Sequence, residues 1–450
     1  MNRLPLADRV LYGLGSLGNA ALFWFMGTWI QYFYSPPEQS GRPELLPLWA
    51  IGLAFGVGRI VEAFDDPLIG WWSDRTRHRW GRRIPFLLVG TPLLSLSFWL
   101  LWNPPYGASL LLTALTFFVV LELFYFANTI VGAPYEALQA EIALTSDDRV
   151  SCGVWKVLFG TLGLVVALVV GPQLIERLGF SGAGAALATI ALVALYAMLF
   201  GLWRRGTLRH TSRLEAASVT FGASVRASLG HRPFLALAAS YLFFSIGYSV
   251  LNQLMPYYVS VVHHGSEGDV TFFLGGLVAA VLLALPLSSR AASAFGKRAV
   301  YAASMLTVGI YLCALSVLAF MPLLPGIAFD LQSKIAIALS GLGFAALFVF
   351  PGAMIGDIVD DDARRSGQQR AAAYYGMFKM IEKLAQGLAV FVFTIIGTLF
   401  GYSGERTLGL QLAFPVAGLL ALAGCVTILV AYKLPEQRSP VTSRPSLGDA

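Results

Sequence analysis

Four ionisable residues, Arg59, Glu62, Asp65 and Asp66, interrupt a strongly apolar stretch that covers residues 46–72. At about 100° per helical residue, Arg59, Glu62 and Asp66 share one helix face, and Asp65 lies on its flank. Carboxylates with this spacing form oxygen-rich surroundings that suit a hard cation, and their mutual repulsion also favours a bound proton. We therefore predict a cation site at Glu62, Asp65 and Asp66, with sodium and proton as alternatives. The structural alternative is a buried Arg59–Glu62 ion pair that only holds this segment against a neighbour.

The composition indicates that these charges lie in a lipid environment. Apolar residues make up 57% of the 450 residues and charged residues 12%, about half of the roughly 25% usual for soluble proteins. So few charges cannot cover the surface of a water-soluble chain of this length. A charge in the middle of a bilayer costs about 2.5–3.5 kcal/mol, so the cluster calls for a functional reason.

Twelve apolar runs are long enough to cross a bilayer as helices. Their approximate bounds are 10–33, 46–72, 84–103, 110–138, 151–174, 181–203, 233–260, 270–290, 298–321, 331–355, 372–399 and 408–432. We therefore predict an all-α membrane protein with twelve transmembrane helices.

The basic residues are distributed unevenly between the loops. Of 31 Lys and Arg residues, 23 lie at the N-terminus, in every second loop and in the C-terminal tail, whereas Arg42, Arg177 and Arg406 are the three in the opposite loops. Basic loops stay in the cytoplasm, which predicts a plasma (inner) membrane protein with both termini cytoplasmic. The net charge of +6 is thus a topology signal, and we expect no nucleic-acid partner.

An internal repeat divides the chain into two halves. The motif SDRTRHRWGRR follows the second run and SSRAASAFGKR follows the eighth, and their glycines, Gly81 and Gly296, are 215 residues apart. We predict an N-terminal six-helix bundle (1–203), a cytoplasmic linker (204–232), a C-terminal six-helix bundle (233–432) and a cytoplasmic tail (433–450). Two matched bundles with a binding site between them are typical of transporters that work by alternating access.

Four segments carry a family resemblance: YGLGSLGNA, RIVEAFDDPLIGWWSDRTRHRWGRRIPF, GAPYEALQAEIALTSDDRVSCGVWK and AAAYYGMFKMIEKLAQGLAV. Together they resemble the glycoside–pentoside–hexuronide:cation symporters of the major facilitator superfamily. The resemblance implies the major facilitator fold, with its two bundles in pseudo-two-fold arrangement, and cation-coupled symport of a sugar or glycoside. It also adds Thr129 to the cation site. The lysolipid symporters share this pattern, so a lysophospholipid or other amphiphile is the alternative substrate.

The expected substrate site combines buried charges with polar groups that can line a cavity. The resemblance implies that Lys383 reaches toward the acids of the second helix and that Lys156 contacts the substrate. The complete set is Asn19, Arg59, Asn128, Glu136, Lys156, Tyr248, Asn252 and Lys383. Ser16 and Gly132 stand where the galactoside carriers have acids that grip sugar hydroxyls, which weakens a melibiose-like assignment. We expect Lys379 to extend toward an interface and assign no role to Glu122.

Charged residues in the cytoplasmic loops predict a gate formed by salt bridges. Its members are Asp74, Arg75, Asp148, Arg149, Asp357 and Arg370, whereas Arg82 and Arg83 are interpreted as topology determinants. The sequence has no P-loop, HExxH or GxSxG motif, so we expect neither an ATP-driven pump nor an enzyme. The expected partners are a small-molecule solute, a coupling Na⁺ or H⁺ and the lipid bilayer. We expect a monomer without other cofactors, and a non-transporting membrane sensor is the remaining alternative.

Overall fold

The described part of the chain folds into twelve long helices. The computed structural model describes residues 4–76, 78, 80–143, 145–210, 229–366 and 371–434, and within these ranges the side chains of a few residues, including Asp66 and Asp74, lie outside the description. The helices are α1 (Leu6–Tyr34), α2 (Leu48–Arg75), α3 (Ile84–Leu101), α4 (Leu110–Ile142), α5 (Ser146–Val165), α6 (Gly171–Arg204), α7 (Arg232–Val262), α8 (Val270–Phe295), α9 (Lys297–Leu318), α10 (Phe329–Ser366), α11 (Ala371–Phe400) and α12 (Leu408–Ala431).

The helices have the length and apolar character that a bilayer requires. In the described part of the chain, ten stretches can cross a membrane by length and composition. One of them, Asp147–Arg204, is 58 residues long and contains both α5 and α6. The apolar part of α2 is shorter, Leu48–Arg59, because the charged cluster follows it. The prediction of an all-α membrane protein is therefore confirmed.

The passage from α5 to α6 is irregular. A five-residue π turn, Val166–Val170, follows α5 directly and leads into α6. The helical path then breaks at Gly179, where φ is +69°. Glycine tolerates this backbone conformation because it has no Cβ. The break falls between the predicted runs 151–174 and 181–203, so the sequence placed the turn correctly although the helix continues further than expected.

The same helix pairings occur in α1–α6, here called the N-terminal half, and in α7–α12, the C-terminal half. In the N-terminal half α1 packs on α5 and α6, α4 on α2 and α3, and α3 on α6. In the C-terminal half α7 packs on α11 and α12, α10 on α8 and α9, and α9 on α12. The repeated glycines also agree, since φ is +104° at Gly81 and +87° at Gly296.

The two halves meet mainly along α1 with α7 and along α2 with α11. The start of α1 and the end of α12 lie at the same end of the helices, which we call the terminal face, and the opposite end is called the far face. Within each half, small residues allow close helix approach. At Gly163 of α5, an added Cβ would lie 2.3 Å from the carbonyl oxygen of Leu17 in α1.

This close approach predicts that Gly163→Ala destabilises the fold. An extra methyl group against a main-chain carbonyl forces the helices apart, and overpacking of this kind costs about 1–3 kcal/mol. The expected result is a lower thermal unfolding midpoint of the purified protein in detergent. The matched control is Gly132→Ala, because nothing lies within 4 Å of an added Cβ at Gly132. Equal midpoints for the two variants would contradict the prediction.

Candidate functional site

Glu62 is the centre of an ion-pair cluster between the two halves. Its Oε2 accepts a hydrogen bond from Arg59 Nη1 of the same helix at 2.5 Å. Its Oε1 lies 3.1 Å from Lys383 Nζ of α11, in the other half. Glu62 is only 2% exposed. Both of its oxygens are thus held by cationic groups, which compensates a charge that would otherwise be costly at this depth.

Arg59 also contacts residues of α4 and α11. Its guanidinium lies 4.6 Å from the ring centroid of Tyr125, and its Nη2 lies 3.5 Å from Gln386 Oε1 of α11. An added Cβ at Gly387 would lie 2.6 Å from Arg59 Cγ, so the glycine makes room for the arginine. The Arg59–Glu62 pair of the structural alternative is therefore present, and Lys383 brings the C-terminal half into it.

The other members of the predicted cation site lie beside this cluster on α2 and α4. Asp65 is half-buried on α2, and Thr129 is buried on α4, which packs along α2. One turn further along α2, Ile69 packs against Ile130, which fixes the register of the two helices. Asp66 lies in α2, but its side chain is outside the described residues.

Glu122 of α4 lies in the same region, although no role was predicted for it from the sequence. An added Cβ at Gly58 would lie 2.3 Å from Glu122 Oε1, so this carboxyl group packs directly on α2. Neither carboxyl oxygen has a hydrogen-bond partner among the described residues. Arg59, Glu62 and Asp65 lie within electrostatic range of it. The sequence signal for this position was a single acid within the otherwise uncharged run 110–135.

A second ion cluster, the Glu136 bridge, consists of Glu136, Lys156 and Lys379. Lys156 Nζ of α5 lies 2.5 Å from both carboxylate oxygens of Glu136. Lys379 Nζ of α11 lies 2.7 Å from Glu136 Oε1. The expectation that Lys379 extends toward an interface is wrong: it pairs with Glu136 of the other half. Partners 243 residues apart leave no local signature in the sequence.

The remaining predicted substrate residues are spread over both halves. Asn19 and Asn128 are half-buried and make no hydrogen bond within the described part of the chain. The ring of Tyr248 packs edge-on against Trp24 of the other half, with centroids 5.6 Å apart. Asn252 Nδ2 donates to the carbonyl of Tyr248 at 3.0 Å. Both residues also line a small apolar cavity inside the C-terminal half, so Asn252 belongs to the interior of that half.

At the far face the two halves are joined by hydrogen bonds. The hydroxyls of Ser35 and Tyr402 lie 2.7 Å apart, and Tyr257 OH donates to the carbonyl of Ser35 at 2.9 Å. Glu38 N donates to Ser403 Oγ at 2.7 Å. Burial raises the pKa of Tyr402, so its hydroxyl stays a neutral hydrogen-bonding group.

A second line of contacts closes the far face between α5–α6 and the start of α8. Gln173 Nε2 donates to the carbonyl of Gly268 at 2.9 Å. Thr271 Oγ1 donates to the carbonyl of Val169 at 2.9 Å, and Val169 lies in the π turn. The described conformation is therefore closed at the far face.

The predicted gate residues at the terminal face make contacts within single halves. Asp148 Oδ1 accepts from the main-chain nitrogen of Leu4 at 3.2 Å, and Arg149 Nε donates to a main-chain carbonyl six residues upstream at 3.0 Å. Lys297 Nζ lies 2.5 Å from Asp357 Oδ2. These contacts tie each half to itself and not to the other half.

Three more gate residues lie around the end of α2 and after α10. Arg75 is exposed at the end of α2. The side chain of Asp74 and the whole of Arg370 lie outside the described residues.

Glu141 binds two arginines at the terminal face, and no sequence pattern predicted this role. Arg82 Nε lies 2.7 Å from Glu141 Oε1, and Arg83 Nε lies 3.2 Å from the same oxygen. Arg83 Nη1 also donates to Ser73 Oγ of α2 at 2.6 Å. Arg82 and Arg83 therefore bind the α2–α3 connection to α4, in addition to any effect on topology.

The far-face contacts predict that a covalent link between the two halves at this face stops the transport cycle. Glu38 and Ser403 belong to different halves and already touch through a hydrogen bond. The double variant Glu38→Cys/Ser403→Cys is expected to form a disulfide on mild oxidation and to lose most solute uptake, because the far face can no longer open. Reductant should restore uptake. Each single variant is the control, and full uptake by the oxidised double variant would refute the closed assignment.

The chain is similar to known transport proteins over nearly its whole length. The model described as "MFS/sugar transport protein" matches residues 11–436. The "Sodium-dependent lysophosphatidylcholine symporter 1-A" of Danio rerio is 24% identical, with 97% of this chain and 87% of that protein covered. The "Putative glycoside/cation symporter YagG" of Escherichia coli (strain K12) is 25% identical, with 99% of this chain and 95% of that protein covered.

Solved structures share the arrangement of the helices at low sequence identity. The nucleoside transporter NupG superposes with a TM-score of 0.67 at 12% identity, covering 95% of this chain and 100% of that chain. A bacterial homologue of the human lysosomal transporter Spinster, in an inward-facing and unoccupied conformation, gives a TM-score of 0.60 at 14% identity, covering 95% of this chain and 94% of that chain. These likenesses confirm the predicted major facilitator fold.

Proposed function

Because the chain belongs to the MFS/sugar transport protein family, we propose that it is a secondary active symporter that couples a small solute, a sugar or glycoside, to a cation. The observation that carries this proposal is Glu62, whose two oxygens meet Arg59 of its own half and Lys383 of the other half. A site that already binds positive groups, and that joins both halves, suits a coupling cation. Two relatives support coupling, since one is named as sodium-dependent and the other as a cation symporter.

The proposed cation site consists of Glu62, Asp65, Asp66 and Thr129. A sodium ion or a proton that binds there competes with Lys383 for Glu62. Lys383 is then free to donate to a solute between the halves, which links the two ligands. The coupling lies in differential affinity, because a ligand shifts a conformational equilibrium only by as much as it prefers one state.

We assign the closed far face to the inward-facing stage of the cycle. With both termini cytoplasmic, as the distribution of basic residues predicts, the far face is the outer face of a plasma (inner) membrane. The halves proposed as rigid units are 1–203 and 233–432, and they rock about a central site that includes Asn19, Asn128 and Tyr248. Asp74, Arg75, Asp148, Arg149, Asp357 and Arg370 are proposed to pair between halves when the terminal face closes.

A lysophospholipid or another amphiphile is the second candidate substrate, and two positions favour it. Ser16 Oγ lies 2.8 Å from the carbonyl of Gly13 and 2.6 Å from that of Lys156, so the hydroxyl is already engaged by the backbone. Gly132 has nothing within 4 Å of an added Cβ. Neither position offers a carboxylate to sugar hydroxyls, and the Danio rerio relative is named as a lysophosphatidylcholine symporter.

The cation site predicts that Asp66→Asn abolishes cation-driven uptake while the protein still folds and inserts. The substitution removes one charge from the proposed site without changing its shape. The measurement is solute accumulation in vesicles with an imposed sodium or proton gradient. Asp330→Asn is the control, since Asp330 is an exposed acid paired with Lys334 one turn away. Accumulation against a gradient by the Asp66 variant would refute the coupling role.

The pairing of Glu62 with Lys383 predicts that Lys383→Gln strengthens sodium binding although it weakens uptake. Removing the ammonium frees one oxygen of Glu62, so sodium should bind about tenfold more tightly, which corresponds to about 1.4 kcal/mol. Uptake should nevertheless fall, because the link between cation and solute is lost. Calorimetric titration of the purified protein with sodium chloride measures the affinity, and Lys334→Gln is the matched control. Weaker sodium binding by the Lys383 variant would count against competition at Glu62.

A further inference from the structure

Glu122 carries a carboxyl group to which the proposed cation site gives no role. A Cβ added at Gly58 would lie 2.3 Å from Glu122 Oε1 and 3.5 Å from Tyr125 Cε2, so the carboxyl group and the tyrosine ring pack side by side on α2. Both carboxyl oxygens are buried and have no hydrogen-bond partner within the described ranges. The hydroxyl of Tyr125, a residue that is 1% exposed, is likewise buried and unpartnered there.

The surroundings of Glu122 favour its neutral, protonated form. A buried carboxylate is stable when donors or an opposite charge compensate it, and otherwise the group takes up a proton. Arg59 lies within electrostatic range of Glu122, but its Nη1 is bound to Glu62 at 2.5 Å. Helices α2 and α3 are the main neighbours of α4, and α3 contains no ionisable residue. The described conformation therefore offers Glu122 no donor that would hold it as a carboxylate.

Several acids already lie near this carboxyl group. Helix α2 carries three within five residues, which are Glu62, Asp65 and Asp66. The first two are within electrostatic range of Glu122. Lys383, which binds Glu62, is also within electrostatic range of Glu382 on its own helix. Ionisation of Glu122 would add a further negative charge in apolar surroundings, whereas a sodium ion bound close to Glu62 would offset that charge.

We propose that Glu122 is a proton-binding residue of the carrier, and that its proton leaves when a sodium ion binds at the proposed cation site. The inference rests on the proposed function, since it requires that site. In this step sodium brings one positive charge into the cluster, the O–H bond of the Glu122 carboxyl group breaks, and the proton passes to water. The net charge between α2 and α4 stays constant, which lowers the electrostatic cost of placing a cation inside an apolar helix bundle.

The exchange makes the sodium affinity of the carrier depend on pH. A proton on Glu122 weakens sodium binding, and by reciprocity a bound sodium ion weakens the binding of that proton. Sodium therefore binds more tightly as the pH rises, because fewer molecules still carry the proton that has to leave. Glu122 thus sets the pH range in which sodium occupies the carrier.

The test measures proton release when sodium binds to the purified full chain. Titration calorimetry with sodium chloride, in two buffers of different ionisation enthalpy and over a series of pH values, gives the number of protons released per sodium ion. At the pH of maximum release, Glu122→Gln is expected to release about one proton fewer than the unmodified chain, and its sodium affinity should depend less on pH. Glu405→Gln is the matched control, because Glu405 is an exposed glutamate near the far face, and this variant should release as many protons as the unmodified chain.

Infrared difference spectra report the same proton directly. Exchange of potassium chloride for sodium chloride should remove the carbonyl band of a protonated carboxylic acid from the unmodified chain, and Glu122→Gln should lack this change. Glutamine resembles protonated glutamic acid in size and charge, so the variant should keep its thermal unfolding midpoint in sodium-free buffer.

Three results would overturn the inference. One is undiminished proton release by Glu122→Gln, and another is the same infrared change in this variant. The third is sodium binding to the unmodified chain without proton release or loss of the acid band, and this result would leave the proposed cation site intact. Absence of sodium binding to the unmodified chain would contradict both sodium coupling and the inference, so the two failures are distinguishable.

Discussion

The structure depends on the compensation of charge inside an apolar protein. The charge of the buried Glu62 carboxylate is compensated because Arg59 and Lys383 bind its two oxygens. One of these partners lies on the same helix and the other lies on α11 of the opposite half. The pair between Glu62 and Lys383 joins the two halves until another cation displaces Lys383 from the carboxylate. The cluster therefore links electrostatic stability with the relative position of the two halves.

In the Glu136 bridge, too, cationic side chains compensate the charge of a carboxylate, but these side chains are more exposed to solvent. Glu62 is almost fully buried, whereas the side chains of the bridge remain partly exposed. In the proposed function the enclosed cluster holds the small coupling ion, and the more exposed bridge lies closer to the solute. Both use α11, so movement of this helix affects the two sites together.

The sequence predicted the helices well and the partners of their charges less well. Apolar runs and the repeated glycines, Gly81 and Gly296, are local patterns, and they predicted the twelve helices and the break near Gly179. The pairing of Glu62 with Lys383 was anticipated through resemblance and not through spacing. Lys379 with Glu136, and Arg83 with Glu141, join residues distant in sequence whose approach depends on helix packing, so no local pattern reveals them.

The π turn Val166–Val170 has a consequence for the helix that contains it. Widening the backbone spiral by one residue leaves a carbonyl without its usual helical donor. Within this turn, the carbonyl of Val169 accepts a hydrogen bond from the hydroxyl of Thr271 of the opposite half. The main chain of one half, and not only its side chains, is therefore tied to the other half at this turn. Any separation of the far face has to break a hydrogen bond to the backbone of the helix wall at Val169.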